Sequence, residues 1–179
     1  MKKNISLIAF LGSVLFSGVA FGQSTASGSV TLNVELHPII ALEFQGGASG
    51  SSTGGVVDLI YKTQDNYTRG VEVNKTNHFK VTSMGGYKIK AKSTDLTHRG
   101  GGTNTIPAGS IKLKVSGGNE TALQPNNFVE LFKENSAVTG KSFDVLYKGA
   151  GNNEYKTKYV SNENPSIYTT QVVYSVEAI

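Results

Sequence analysis

Apolar residues in this chain recur mostly at every second position, in short runs separated by Gly, Asn and Ser. An extended strand turns successive side chains to opposite faces, so this period predicts strands with one packed face and one wet face. The clearest run covers residues 29–36. Val30, Leu32, Val34 and Leu36 share one face, and Ser29, Thr31, Asn33 and Glu35 share the other. His37-Pro38 follows at once. Proline has no N–H to give a ladder, so Pro38 is a hinge between this run and a second short strand over residues 39–44, where Ile40, Leu42 and Phe44 alternate.

Residues 45–55 (QGGASGSSTGG) form a loop by composition, and no Gly-Lys-Ser/Thr ending marks them as a phosphate cradle. Residues 56–61 are rich in β-formers with apolar side chains on both faces, which predicts a strand lying centrally in a sheet. From Tyr67 to Asn77 only Val71 and Val73 alternate, in polar surroundings, and no element is clear. Residues 78–83 and 87–92 flank Gly85-Gly86 and predict a hairpin, with Phe79, Val81, Tyr87, Ile89 and Ala91 inward and lysines in water. A long turn-rich connection spans residues 93–110, and Ile111, Leu113 and Val115 form the next strand.

Further strands are predicted over residues 128–132 and 143–147, separated by a turn around Thr139-Gly140. Residues 155–160 read as a short edge strand, where Lys156 and Lys158 discourage stray pairing. A strong closing strand runs from Tyr168 through Thr170, Val172, Tyr174 and Val176 to Ala178. About eight to ten strands at this turn-punctuated spacing predict an all-β protein, an immunoglobulin-like β-sandwich.

The first segment carries a different signal. Met1-Lys2-Lys3 is a short positive start, residues 5–21 are an apolar run, and Ala20-Phe21-Gly22 offers small residues for a cut. Cleavage after Gly22 is expected, which divides the chain into a signal peptide (1–22), an N-terminal extension (23–38) and one domain (39–179). An uncleaved membrane anchor is the rival, since the run sits at the lower limit of the roughly 17–25 residues that span a bilayer. The small residues at its end favour removal.

Composition narrows the function. The formal charge is +4, but two of the 17 basic residues are Lys2 and Lys3, so the exported chain is less basic than the whole. No run of Lys or Arg makes a phosphate-binding stripe, which argues against nucleic acid. The absence of cysteine excludes a disulfide scaffold and a thiolate metal site. His37, His78 and His98 fall in no metal-ligand spacing, and Ser29, Ser83 and Ser110 lack a nucleophile-elbow context. Asp58 and Asp144 lie far apart in strand patterns. The chain therefore reads as a non-enzyme without a cofactor. Asn66, Asn74 and Asn119 open glycosylation-type triplets, which chance supplies in a chain rich in Asn and Thr.

The leading strand has two ways to be used: it pairs within its own domain, or it reaches into another molecule. Here a resemblance bears on the choice. Residues 30–42 (VTLNVELHPIIAL) resemble the mature N-terminus of the alpha-class chaperone–usher pilins, the colonisation-factor type fimbrial major subunits, with His37 in place of the usual acidic residue before Pro38. Residues 57–61 and 168–176 resemble a following strand and the final strand of that family. The match covers both ends of the exported chain and thins out between residues 93 and 154.

What the resemblance implies is donor-strand exchange. Val30, Leu32, Val34 and Leu36 would be the plugs of a donor strand. Val172, Tyr174 and Val176 would line the acceptor groove of the next subunit, and the product would be a head-to-tail homopolymer. It also implies a periplasmic chaperone, an outer-membrane usher, and a place in a fimbrium at the cell surface with a role in adhesion. The alternative is a monomeric secreted immunoglobulin-like module that binds surface carbohydrate or cell wall, with Tyr155, Tyr159 and Tyr168 as an aromatic platform.

Overall fold

The structure, a computed structural model, describes residues 31–45 and 55–179. The leader with its expected cut after Gly22, the residues Ser29 and Val30, and most of the Gly-rich loop lie outside the described residues. The chain divides into two compact units, Met1–Glu35 and Leu36–Ile179. In the first, the described residues 31–35 belong to no helix or strand, and Leu32 and Val34 are exposed.

The second unit is built of strands β1 (Ile40–Phe44), β2 (Val71–Ser83), β3 (Tyr87–Lys92), β4 (Leu96–His98), β5 (Thr105–Ile106), β6 (Ile111–Val115), β7 (Thr121–Ala122), β8 (Val129–Glu134), β9 (Val138–Gly149), β10 (Tyr168–Thr169) and β11 (Val173–Ala178). One short helix, α1 (Gln64–Arg69), precedes β2. The strands form one sheet of order β1-β2-β9-β6-β7 and two of three strands, β11-β3-β8 and β10-β4-β5. Every pairing between these strands is antiparallel. Among the described residues the protein is thus all-β with almost no helix.

Alternation explains where each strand faces. In β6, Ile111, Leu113 and Val115 are buried and Lys112 and Lys114 exposed. In β3, Tyr87, Ile89 and Ala91 are fully buried between half-covered lysines. These side chains join Phe79 and Val81 of β2, Val129 and Leu131 of β8, and Phe143 and Val145 of β9 in one core. The core therefore draws on the inner faces of the five-stranded sheet and of the β11-β3-β8 sheet, an arrangement consistent with a β-sandwich.

Several expectations are corrected. Residues 78–83 and 87–92 are strands with the predicted inward residues, but they make no hairpin. β2 pairs with β1 and β9, while β3 pairs with β8 and β11. Met84-Gly85-Gly86 is an arch from one sheet to the other. A side chain at Gly86 would meet Ile179 Cγ1 at 2.8 Å and the Asn135 backbone at 3.1 Å, so the arch is too tightly packed for one. The turn expected around Thr139-Gly140 lies earlier, because β9 already begins at Val138, and Gly140 sits inside that strand.

Residues 155–160 form no strand. Lys156–Lys158 is a single 3-10 turn, with Tyr155 drawn into the core. The closing run is two strands in two sheets, β10 paired with β4 and β11 paired with β3. The connection over residues 93–110 contains β4 and β5.

Residues 56–61 are the remaining correction. They lie in no strand, although Val57, Leu59 and Tyr61 pack on the core while Val56 and Ile60 are exposed. The side chains keep a period of two without a ladder partner. Tyr61 holds the segment by donating its hydroxyl to the Ala150 carbonyl at 2.8 Å and by ring contacts with Tyr67 and Tyr155.

Candidate functional site

β1 is the outermost strand of the five-stranded sheet, and β11 is the outermost strand of the sheet that faces it. No ladder joins the two. The rings of Phe44 and Tyr174 meet edge-on at 5.8 Å, so these sheet edges lie side by side. Along β11 and just before it, Val172, Tyr174 and Val176 turn toward the core, and all three are only partly buried. An edge strand leaves one row of backbone groups unpaired and offers a template for another strand.

Chemistry fixes Tyr174 at this edge. Its hydroxyl lies 2.7 Å from that of Tyr147 on β9, and the Tyr147 hydroxyl lies 2.9 Å from His78 Nε2 on β2. Burial pushes the Tyr147 hydroxyl up to about 12 and Tyr174 well above its ordinary value, Tyr147 adding to the second effect. Burial, and then the charge of Lys75, holds the His78 imidazole below its usual range. All three groups are therefore neutral at pH 7. They form a hydrogen-bonded rivet from the five-stranded sheet to β11, surrounded by the rings of Phe44 and Phe79.

The leading run has a different setting. Among its described residues, Leu32 is 84% exposed, Val34 73% and Leu36 80%, and none lies in a strand. Ile39 and Ile40 are also exposed large side chains, and β1 starts two residues after Pro38. Val30 lies outside the described residues. Of the residues singled out in sequence, Val172, Tyr174 and Val176 are thus together on one edge. His78 belongs to that edge as well and was missed there. β2 is bulged between Lys75 and Phe79, so His78 and Phe79 are both buried and the alternation that would have placed them lapses.

Other candidates are accounted for by structure. His98 is buried in the β10-β4-β5 sheet, with Nδ1 2.9 Å from the Gly101 carbonyl and Nε2 2.7 Å from Glu163 Oε2. Ser83 donates to the Gly85 carbonyl, and Ser110 bonds the Pro107 carbonyl and the Tyr155 hydroxyl. Asp144 accepts the Asn77 N–H at the β2 bulge, 2.7 Å away, and Asp58 is exposed. The tyrosine platform does not form: Tyr155 is buried, the Tyr168 hydroxyl is spent on the Lys158 carbonyl, and only Tyr159 is openly exposed. Among the described residues no group of three or more His, Asp or Glu is placed to hold a metal ion.

Comparison with known proteins adds no family to these observations: no protein-family model matches the chain, and no curated protein matches its sequence.

Proposed function

We propose that this chain is a structural subunit of a surface fibre, in which residues 30–36 of one subunit add a strand at the β11 edge of the next. The observation that carries this reading is the edge itself. Val172, Tyr174 and Val176 face the core and stay only partly buried, as expected of a strand lacking a neighbour. The same chain carries an alternating apolar run outside any described ladder, with Leu32, Val34 and Leu36 exposed. The resemblance to chaperone–usher pilins supports the pairing in trans. With it come an immunoglobulin-like topology completed by the donor strand, export through the periplasm, and a chaperone and usher as partners.

The energetics favour a durable joint. Burying Val30, Leu32, Val34 and Leu36 at ~1.5–3 kcal/mol each gives roughly 6–12 kcal/mol as an upper figure. Backbone bonds along the new ladder add about 1 kcal/mol net apiece, and ordering the extension subtracts from the total. Strand addition draws affinity from the main chain and register from alternate side chains. Each subunit gives one strand and receives another, so the contact repeats without closing and builds a filament.

Electron microscopy of protein sheared from the cell surface, with gels run before and after boiling, tests the reading. Thin filaments and a heat-sensitive ladder of multimers are expected. Leu32→Asp and Val34→Asp each place a charge on the plug face and are expected to leave the domain folded while abolishing filaments. Normal filaments from both variants would exclude strand exchange through this run.

A further inference from the structure

The outer face of the β11-β3-β8 sheet carries three lysines at alternate positions of β3. Lys88 pairs with Glu130 at 3.2 Å, and Lys90 pairs with Glu177 at 2.5 Å. Lys92 has no carboxylate partner among the described residues. Its ammonium stands 4.7 Å from the centroid of the Phe128 ring. Together with Ser93, Thr94, Asn126, Gln171 and Val173 it lines a cleft of about 320 Å³. Ligand pockets begin at about this size.

The cleft exists because three segments part company here. β3 ends at Lys92, and Val173 opens β11 directly opposite it in the ladder. Asn126 takes a left-handed backbone, with φ 63°, and its N–H donates to the Ser93 carbonyl at 2.8 Å. Thr170 donates to the Thr94 carbonyl at 3.0 Å and closes the far side. Ser93 is buried, and its hydroxyl has no hydrogen-bond partner among the described residues.

We propose that this cleft binds a carboxylate-bearing sugar residue of a glycan. The unmatched Lys92 ammonium suits one carboxylate, and a single cation is too little for a phosphate dianion or a polyanion. The amides of Asn126 and Gln171 each offer both donors and an acceptor, as adjacent sugar hydroxyls require. Val173, exposed on the cleft wall, supplies apolar surface for the C–H face of a ring. The site rests on this cleft alone and does not depend on strand exchange.

Calorimetric titration of the full chain with sodium glucuronate and sodium N-acetylneuraminate tests it, with sodium acetate and the uncharged glucuronate methyl ester for comparison. Saturable binding of at least one acidic sugar is expected, with acetate and the ester much weaker. Lys92→Gln is expected to weaken that sugar roughly tenfold, Lys92→Arg to retain most of the affinity, and Lys114→Gln, on the exposed face of β6, to change nothing. Gln171→Ala, at the opposite wall, is expected to weaken the same sugar. No saturable binding of either sugar, or unchanged binding in Lys92→Gln, would overturn the assignment. Acetate binding as tightly as the sugars would reduce the cleft to a bare cation and overturn it too. Filaments are expected to form normally in Lys92→Gln, so failure of this proposal is distinguishable from failure of the fibre reading.

Discussion

His78 and His98 are both buried, yet their surroundings favour opposite charge states. His78 sits among rings with its Nε2 on the Tyr147 hydroxyl, and burial lowers its pKa. Its contribution to stability is therefore complete above the unfolded value near 6.5 and is lost as pH falls toward the lower folded value. Around His98, a carbonyl faces one ring nitrogen and a carboxylate the other. The Gly101 carbonyl, and then Glu163, hold its pKa above the ordinary value. That contribution is complete below about 6.5 and is lost as pH rises through the raised folded value. Urea unfolding between pH 5 and 8 separates the two. In His98→Gln stability is expected to rise with pH across this window, and in His78→Gln it is expected to fall. Parallel profiles in the two variants would contradict these environments. Neither role was legible in the sequence, because each needs a partner 65 or more residues away, Glu163 for His98 and Tyr147 for His78.

At the scale of elements, the faces were legible and the partners were not. Lysines alternating with Ile, Leu, Val and Ala identified β3, β6 and their buried residues, since period alone decides which side chains face the core. It does not decide which strand lies alongside. Gly85-Gly86 suggested a hairpin turn and is instead an arch between sheets, and the final run hid a change of sheet between β10 and β11. The start of β2 was unclear because Asn74, Lys75, Thr76 and Asn77 carry no apolar face. Helix α1 went unread, although its signal is present: Thr63 accepts the Asn66 N–H, and Asn66 Oδ1 accepts the Thr63 N–H at 3.1 Å. Asn in place of Glu or Gln weakened that capping signature. Thr63→Ala is expected to destabilise the domain by about 1 kcal/mol, read from the shift of the urea midpoint. No shift would mean that the Tyr67 and Tyr61 rings hold the helix without its cap.

For the whole molecule, the question is whether the β11 edge accepts a strand. A peptide of residues 29–38 tests this without a fibre. Added in large excess to the full monomeric chain, it is expected to raise the melting temperature by ~5 °C or more, as binding to the folded state alone requires. The same peptide with Val34→Asp is expected to have no effect. The core-facing side of the β11 edge was partly legible, since alternation put Val172, Tyr174 and Val176 on one face. The sequence held no sign that Tyr174 would be fastened through Tyr147 to His78. The polar cleft beside Lys92 was equally hidden, because it is made where β3, β11 and the turn at Asn126 diverge.

The placement of the lysines has a consequence for digestion. Lys75, Lys80, Lys88, Lys90, Lys92, Lys112, Lys114, Lys133, Lys141 and Lys148 all lie within strands. A protease that cuts after basic residues must draw several residues of chain into its cleft in extended form, and a paired strand cannot be drawn out until its sheet opens. Their ammonium groups reach water while their peptide bonds stay locked in ladders. Among the described residues, the basic positions open to attack reduce to those outside strands. Arg99 stands first, in an exposed turn with Gly100, Gly101 and Gly102 behind it, and Lys62 follows on the unladdered segment before α1. Among the described residues, trypsin is therefore expected to cut the folded chain first at Arg99 and Lys62, leaving the strand lysines until the sheets open.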